Sequence, residues 1–399
     1  MKITDIAIVN GARTPMGRYN DKLKDFTAME LGAIAGKEAI KRSGVEARDV
    51  DHVVFGNAQQ TSSDSHYGAR HVGILAGLPI ETPALTVNRL CGSGMQSIVN
   101  AAQMIMLEEA KIVLAGGMES MSQAPFVIRG ARTGIGLGQG KLEDSLMQGL
   151  LDTQCGLYMA NTAELYASQQ GIGREQMDEF SLRSQMLADE AYRAARIQEE
   201  LTPVPMKNHK GQPTGETFNE DDHRRPQTTM EGLAKLRPAF GKDGTVTAGN
   251  ASGIVDGGAA VLIMTHRDAV DRGLKPMGRL VNWGIAGVDP KIMGSGPVPA
   301  TRVALKRACM KLEDIDLIEV NEAFAGQYLA VEKELGLNRD KVNVNGGAIA
   351  LGHPLGATGT RLVLTLLYEL RRRGKKYGLA TACIGGGQGI AVIVESLQA

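Results

Sequence analysis

The sequence predicts an α/β fold in which one strand-and-helix unit is used twice, with a long insertion in the first copy. Short apolar runs alternate with helical stretches through much of the 399 residues, as they do in α/β proteins. Residues 314–318 resemble residues 49–54, which indicates a repeated unit. Glycine accounts for 50 residues, well above the usual ~7%. It clusters beside the apolar runs, where backbones pack closely.

The first copy is predicted within residues 1–120 and 253–275. Its elements are a strand over 3–9, a helix over 28–43, a strand over 53–56, a helix over about 96–109 and a strand over 111–115 that ends in Gly116-Gly117. The glycine-containing segment 87–94 is the turn that leads into the second of these helices. A strand over 257–263 returns the chain to this unit.

The second copy, over 276–399, follows the same order. Its elements are a strand over 317–320, a glycine-rich turn over 352–359, a helix ending at 371–373 with Gly374 as its cap, and strands over 378–384 and 390–394. The last strand is the counterpart of 257–263. Residues 121–252 are therefore predicted to form an inserted domain. It should have helices over 161–169 and 175–196, few strands and polar loops such as 207–214.

The composition argues against several classes of function. Lys+Arg and Asp+Glu both number 44, and this balance lacks the basic excess that a nucleic-acid partner requires. No apolar run approaches the ~18 residues of a membrane span, and none resembles a signal-peptide core. The four cysteines form no CxxC pair and the seven histidines show no metal-ligand spacing. We therefore expect reduced thiols in the cytoplasm, no metal site and no permanently bound cofactor.

Cys91 is a candidate nucleophile, since it lies in a glycine-containing segment just before an apolar helix. A thiol at a helix N-terminus faces unpaired N–H groups and the positive end of the dipole. Both are expected to lower the thiol pKa from about 8.5. From these local features alone, a buried cysteine that only fills space is an equal alternative.

His353 is a candidate general base. It stands between Gly352 and Pro354 in a segment of small residues, where an imidazole is not the filler of an amphipathic helix. We expect this imidazole to titrate near neutral pH, as a general base must. The alternative is a structural histidine bonded to the loop backbone.

Two further segments carry polar groups at predicted strand ends. Cys383 ends a strand and precedes glycines whose N–H groups could form an oxyanion hole, although a tight turn between strands would explain them equally. Asn321 follows the strand over 317–320, at the carboxyl end where α/β folds bind ligands.

Taken together, these segments resemble the signature blocks of the thiolase family. The matching blocks, in chain order, are 11–15, 88–96, 247–253, 321–324, 346–359 and 383–389. The resemblance covers essentially the whole chain. It implies a duplicated αβαβα layered fold with an inserted loop domain, and an acyltransferase that uses coenzyme A as substrate and product.

The resemblance also implies a division of labour among the site residues. Cys91 would take an acyl group from an acyl-CoA, His353 would activate Cys91, and Cys383 would move a proton at the α-carbon. The N–H groups of Cys91 and Gly385 would bind the acyl oxygen. His353, with a water held by Asn321, would bind the enolate oxygen.

Substrate contacts follow from the same resemblance. The implied acyl-pocket residues are Tyr158, Met159, Met293, Ala323 and Phe324, and the implied CoA contacts are Arg225, Ala248 and Ser252. Short-chain members carry a His-Met pair where this sequence has Tyr158-Met159. The retained Met159 favours acetyl and acetoacetyl groups, and Tyr158 leaves chain length open. Arg225 lies in a charged run that could equally be solvated.

We therefore predict reversible condensation of two acetyl-CoA to acetoacetyl-CoA and CoA, or thiolysis of 3-ketoacyl-CoA, through an acyl-cysteine. The alternatives are a longer-chain degradative 3-ketoacyl-CoA thiolase and a non-catalytic carrier, which would lose one of the three reactive residues. A dinucleotide-binding oxidoreductase would need GxGxxG after the first strand, and this sequence lacks it there. A ketoacyl synthase would lack the GHP and CIGGG blocks. We expect a homotetramer or homodimer.

Overall fold

The computed structural model describes residues 2–398. The elements before the insertion are β1 (Ile6–Arg13), β2 (Gly17–Arg18), α1 (Ala28–Ser43), β3 (His52–Gly56), α2 (Ala69–Ala76), β4 (Ala84–Val87), α3 (Ser93–Met106) and β5 (Val113–Glu119). The helix over 28–43 forms with the predicted bounds. Thr27 caps it and exchanges hydrogen bonds with Glu30. The first strand begins later than predicted and continues to Arg13, because its partner strand β12 extends the pairing that far.

The inserted region contains short helices and hairpins. Its elements are β6 (Phe126–Ile128), β7 (Leu142–Asp144), α4 (Ser145–Gly149), β8 (Leu151–Asp152), β9 (Leu157–Tyr158), α5 (Met159–Gln169), α6 (Arg174–Arg193), β10 (Val204–Lys207), β11 (Pro213–Phe218) and α7 (Met230–Ala234). The predicted helices form, while β6–β7, β8–β9 and β10–β11 are three two-stranded sheets. The polar segment 207–214 is largely the turn of the last hairpin, which polar residues favour.

The remaining elements complete the second copy. They are β12 (Val255–Thr265), α8 (His266–Asp271), β13 (Gly278–Gly287), α9 (Pro297–Ala308), β14 (Leu317–Val320), α10 (Ala325–Leu335), α11 (Ala348–Leu351), α12 (Leu355–Arg372), β15 (Tyr377–Ile384) and β16 (Gln388–Ser396). Part of the predicted turn over 352–359 is instead the start of α12. Its glycines allow close helix packing, since a side chain at Gly359 would overlap the backbone N of Met95 in α3.

The strand order shows the duplication directly. One half runs β1-β12-β5-β3-β4 and the other runs β13-β16-β15-β14, with β1 and β13 joined by a short antiparallel pairing. In each half the first two pairings are antiparallel and the next is parallel. The predicted strands 257–263 and 390–394 lie in β12 and β16. Each of these strands is the second in the order of its half, so the two are counterparts. The proposed domain limits stay a prediction.

Helices form layers around these sheets. α1 packs on one face of β1, β12 and β5, and α9 packs on β13 and β16. Between the sheets lie α3 and α12, which pack against each other and against strands of both halves. The resulting order is αβαβα. The segments that begin α3 and α12 therefore meet in the middle of the molecule. No helix within residues 2–398 is long and apolar enough to cross a membrane.

Candidate active site

A small pocket lies where the segments preceding α3 and α12 meet. Its volume is about 150 Å³ and its lining is mostly apolar. The predicted residues that line it are Cys91, Met159, Ser252, Met293, Ala323, Phe324, His353 and Cys383. These residues come from distant parts of the sequence, and the fold brings them to one place.

A larger cleft, of about 540 Å³, lies beside the pocket and includes the predicted residues Arg225 and Ala248. The segment 248–253 contributes to both spaces, since Gly249 lines the cleft and Gly253 lines the pocket. His223 lines the cleft with its ring packed on Gly253. This arrangement suits an extended ligand whose reactive end enters the pocket while the remainder occupies the cleft.

Three predicted residues, Asn321, Gly385 and Tyr158, do not line the pocket but contact residues that do. The Nδ2 atom of Asn321 is 3.3 Å from Nε2 of His353. The backbone N–H of Gly385 lies near the sulfur of Cys91. The ring of Tyr158 packs on Phe240 with 5.8 Å between ring centroids, and Phe240 lines the pocket. Tyr158 therefore supports the wall instead of forming it.

Cys91 lies in a single 3-10 turn immediately before α3. Its own N–H and that of Gly385 lie near its sulfur, which favours the thiolate. The predicted lowering of the thiol pKa is nevertheless wrong. Burial raises the pKa of Cys91 to about 11, the negative charge of Glu119 adds to the rise, and the two N–H groups only partly offset it.

The ring of His353 is oriented by Thr358. His353 Nδ1 lies 2.6 Å from Thr358 Oγ1, whose hydroxyl donates to the carbonyl of Pro354. Nδ1 therefore carries the proton, and Nε2 presents its lone pair toward Asn321. The expected titration near neutrality is wrong, because burial and the nearby charge of Arg361 lower the pKa of His353 to about 3. The ring is a neutral imidazole whose unprotonated Nε2 is an acceptor that faces the Asn321 amide.

Cys383 lies near the end of β15 with 1% of its surface exposed. Burial raises the pKa of its thiol, and the nearness of Cys91 adds to the rise. Gly386 and Gly387 both have φ of +78° and form the tight turn into β16. The glycines thus form the tight turn that the sequence left open, and the turn places Gly385 beside Cys91, while the oxyanion-binding role of the Gly385 N–H stays a prediction.

Sequence reasoning missed several residues of the site. Met121, Leu150, Phe240 and Ile254 line the pocket from outside the matching blocks, and Leu355, inside the block 346–359, was not predicted to line it. Glu119 is fully buried and accepts four N–H donors next to the pocket. Its position two residues after Gly117, at the end of a buried strand, was the available signal. No cluster of metal-binding side chains is present within the described residues.

The comparison with known proteins identifies the family. Residues 6–267 match the family model of the thiolase N-terminal domain, and residues 274–396 match that of the thiolase C-terminal domain. The chain belongs to the thiolase family. The predicted family, the duplicated layered fold and the acyltransferase activity of this thiolase are thereby confirmed.

Relatives of this thiolase match over nearly the whole chain. The human mitochondrial 3-ketoacyl-CoA thiolase is 53% identical over 392 residues, which cover 98% of each sequence. The acetyl-CoA acetyltransferase of Chromobacterium violaceum is 49% identical and covers 98% of this chain and 99% of its own. A crystal structure of the human mitochondrial enzyme in complex with CoA superposes with a TM-score of 0.95, 52% identity and coverage of 99% and 98%.

Proposed function

We propose that this thiolase interconverts two acetyl-CoA with acetoacetyl-CoA and CoA, and cleaves other short 3-ketoacyl-CoA substrates. The observation that carries this proposal is the size of the space beside Cys91. Met159, Leu150 and Phe240 enclose a pocket of about 150 Å³. A pocket closed by bulky apolar side chains favours small acyl groups, because a longer chain must displace them.

Acyl transfer is proposed to begin with proton transfer from Cys91 to Nε2 of His353. The resting pair is a neutral thiol and a neutral imidazole, so this transfer must accompany attack on the thioester carbonyl. The Cys91 sulfur adds to the carbonyl carbon to give a tetrahedral oxyanion, which collapses as the thioester C–S bond breaks and the CoA sulfur takes the proton from His353. The N–H groups of Cys91 and Gly385 stabilise the oxyanion between these steps.

Carbon–carbon bond formation is proposed to use Cys383 as the base at the α-carbon of the second acetyl-CoA. Burial keeps this thiol neutral at rest, so its proton must first pass to neutral His353, and the thiolate that remains is a strong base that takes the α-proton. A water held by the Asn321 amide, next to His353 Nε2, is proposed to donate to the enolate oxygen. The enolate then attacks the acyl carbonyl of the acyl-cysteine, the C–S bond to Cys91 breaks, and the expelled Cys91 sulfur takes the proton from His353.

CoA is proposed to lie in the outer cleft, with Arg225 toward the nucleotide and Ala248 and Ser252 along the pantetheine arm. Gln185 accepts a hydrogen bond from the Arg225 backbone N–H and holds this loop against α6. The segment 248–253 lies between the cleft and the pocket. This order supports entry of the acyl end from the cleft into the pocket.

A second candidate is a preference for longer chains. Three of the lining side chains, Met121, Met159 and Met293, are methionines. Methionine repacks at low energetic cost, so this lining allows the pocket to widen around a longer acyl group. A series of 3-ketoacyl-CoA substrates of increasing length decides between the two. The short-chain proposal expects kcat/KM for thiolysis to be highest for acetoacetyl-CoA, and a maximum at a longer chain overturns it.

We further propose that the chain forms a homotetramer, with a homodimer as the alternative, in the cytoplasm. β4 ends the sheet order and leaves an edge able to pair with another chain. Hairpin β6–β7 exposes Phe126, Ile128 and Leu142, which supports a further contact. All four cysteines are free, which suits a reducing compartment. Light scattering of the purified protein and fractionation of the source cells test the two statements.

A further inference from the structure

The carboxylate of Glu119 joins the two segments that carry Cys91 and His353. Its Oε1 accepts hydrogen bonds from Asn57 Nδ2 at 2.8 Å and Gln59 N at 3.0 Å. Its Oε2 accepts from Ala58 N at 3.1 Å and Gly356 N at 2.7 Å. One oxygen thus connects the loop after β3 with the start of α12, and the other fixes the orientation of the carboxylate.

On one side the bond reaches the general base. Gly356 is the second residue of α12 and follows His353 by three positions, inside the turn whose Thr358 orients the imidazole. β5 and α12 touch here, since a side chain at Gly117 would overlap the Gly356 carbonyl. The bond from Gly356 N to Glu119 therefore determines how far the His353 turn sits from the end of β5.

On the other side a relay reaches the nucleophile. Ala58, whose N–H donates to Glu119, accepts a hydrogen bond from Asn88 Nδ2 at 3.0 Å. Asn88 Oδ1 in turn accepts from the N–H of Leu90 at 2.9 Å. Leu90 immediately precedes Cys91 and has φ of +45°, a conformation that costs a leucine free energy. The relay holds Leu90 in this strained conformation and so directs the turn that carries Cys91.

We propose that Glu119 is a positioning residue for acyl transfer, because its Oε2 sets the placement of Cys91 relative to His353 through Ala58–Asn88–Leu90 and through Gly356. This inference rests on the proposed roles of Cys91 and His353. Proton transfer between them requires hydrogen-bond geometry, and a small misplacement lowers the rate without changing substrate binding.

The proposal predicts different effects for two substitutions of Glu119. Glu119→Gln retains one oxygen that can face Ala58 and Gly356, and Asn57 can turn its amide to accept from the new NH2, while only the Gln59 N–H loses its acceptor. Glu119→Ala removes both acceptors. In the exchange of labelled CoA into acetyl-CoA, we expect Glu119→Ala to lower kcat about 10- to 100-fold with KM nearly unchanged. Glu119→Gln should stay within several-fold of wild type.

Asn88→Ala tests the relay without touching a buried charge. It should lower exchange kcat in the same direction, and less than Glu119→Ala. In the double variant Glu119→Ala/Asn88→Ala, the fold-decrease in exchange kcat should be smaller than the product of the two single fold-decreases, since both substitutions break the same chain of hydrogen bonds. Asn338→Ala is the matched control, because Asn338 Oδ1 makes the same type of bond to Asp340 N away from the pocket. It should retain wild-type exchange.

Three results would overturn the proposal: wild-type exchange in Asn88→Ala, independent effects in the double variant, or equal losses in Glu119→Gln and Glu119→Ala. Thermal melting identifies a Glu119→Ala protein that fails to fold. In that case the comparison of exchange in Asn88→Ala with exchange in Asn338→Ala tests the proposal. Mass spectrometry of the wild-type acetyl-enzyme separates the two levels of failure. Acetyl on a residue other than Cys91 refutes the proposed function, whereas acetyl on Cys91 with intact exchange in Asn88→Ala refutes the role of Glu119.

Discussion

Thr358 Oγ1 accepts the Nδ1 proton of His353 at 2.6 Å, and this bond decides which nitrogen of the ring can act on Cys91. Thr358 can only accept here, because its own hydrogen goes to the Pro354 carbonyl. The helix turn after His353 thus selects the tautomer in which Nε2 carries no proton. In proteins, the tautomer of a histidine that acts as a general base is commonly selected by a hydrogen-bond partner on the opposite ring nitrogen.

Thr358→Val removes this acceptor while keeping the shape of the side chain. The tautomer is then no longer selected, and we expect kcat for acyl exchange to fall about tenfold, within the range that positioned general bases contribute. KM should change little. Thr365→Val on the same helix is the control, since it removes a comparable hydrogen bond to Glu200 away from the pocket. Equal losses in the two variants would show that helix stability, and not the tautomer, is responsible.

The free enzyme should hold Cys91 as a thiol at neutral pH. Burial raises the pKa of Cys91 to about 11 and lowers that of His353 to about 3. The proton therefore stays on sulfur between these values, and the thiolate appears only as pH rises toward 11. The rate of Cys91 alkylation by iodoacetamide, followed by mass spectrometry, should increase steadily from pH 7 to 10. A plateau between pH 6 and 8 would reveal a thiolate–imidazolium pair and contradict this assignment.

Cys91 and Cys383 should have separable roles. Cys383→Ser replaces the proposed base with a hydroxyl that is much harder to ionise, so condensation and thiolysis should be lost. The variant should still exchange labelled CoA into acetyl-CoA, because that reaction needs only Cys91 and His353. Cys91→Ser should lose both activities. If Cys383→Ser abolishes exchange as completely as turnover, the proposed division of labour is wrong.

Met159 should set the length of the acyl chain. Met159 lines the pocket together with Cys91, and its sulfur lies close to Gly385. Met159→Ala should enlarge the pocket and raise kcat/KM for longer 3-ketoacyl-CoA substrates relative to acetoacetyl-CoA. Tyr158→Ala should shift the preference less, because Tyr158 acts through Phe240. Met186→Ala, an exposed methionine on α6, is the control. An unchanged preference in Met159→Ala would remove this segment from the determinants of chain length.

The sequence by itself was sufficient for the family and the duplicated unit, and it led to the three proposed reactive side chains. Cys91, His353 and Cys383 stand in blocks whose glycines permit close backbone approach, as at Gly94 and Gly359. Local patterns also determined helix α1, where a capping residue and a C-terminal glycine mark both ends. These signals lie within a few neighbouring residues, so a reading of the chain can find them.

The tertiary structure alone decided the electrostatics of the site. The local surroundings of Cys91 and His353 suggested an acidic thiol and a base titrating near neutrality, but burial reversed the first and moved the second far below neutrality. Desolvation depends on what packs around a group from distant segments, and no local pattern encodes it. The same dependence on distant segments explains why Glu119 was not predicted. Its proposed positioning role comes from the N–H groups of Ala58 and Gly356, which come together only when the two halves pack against each other.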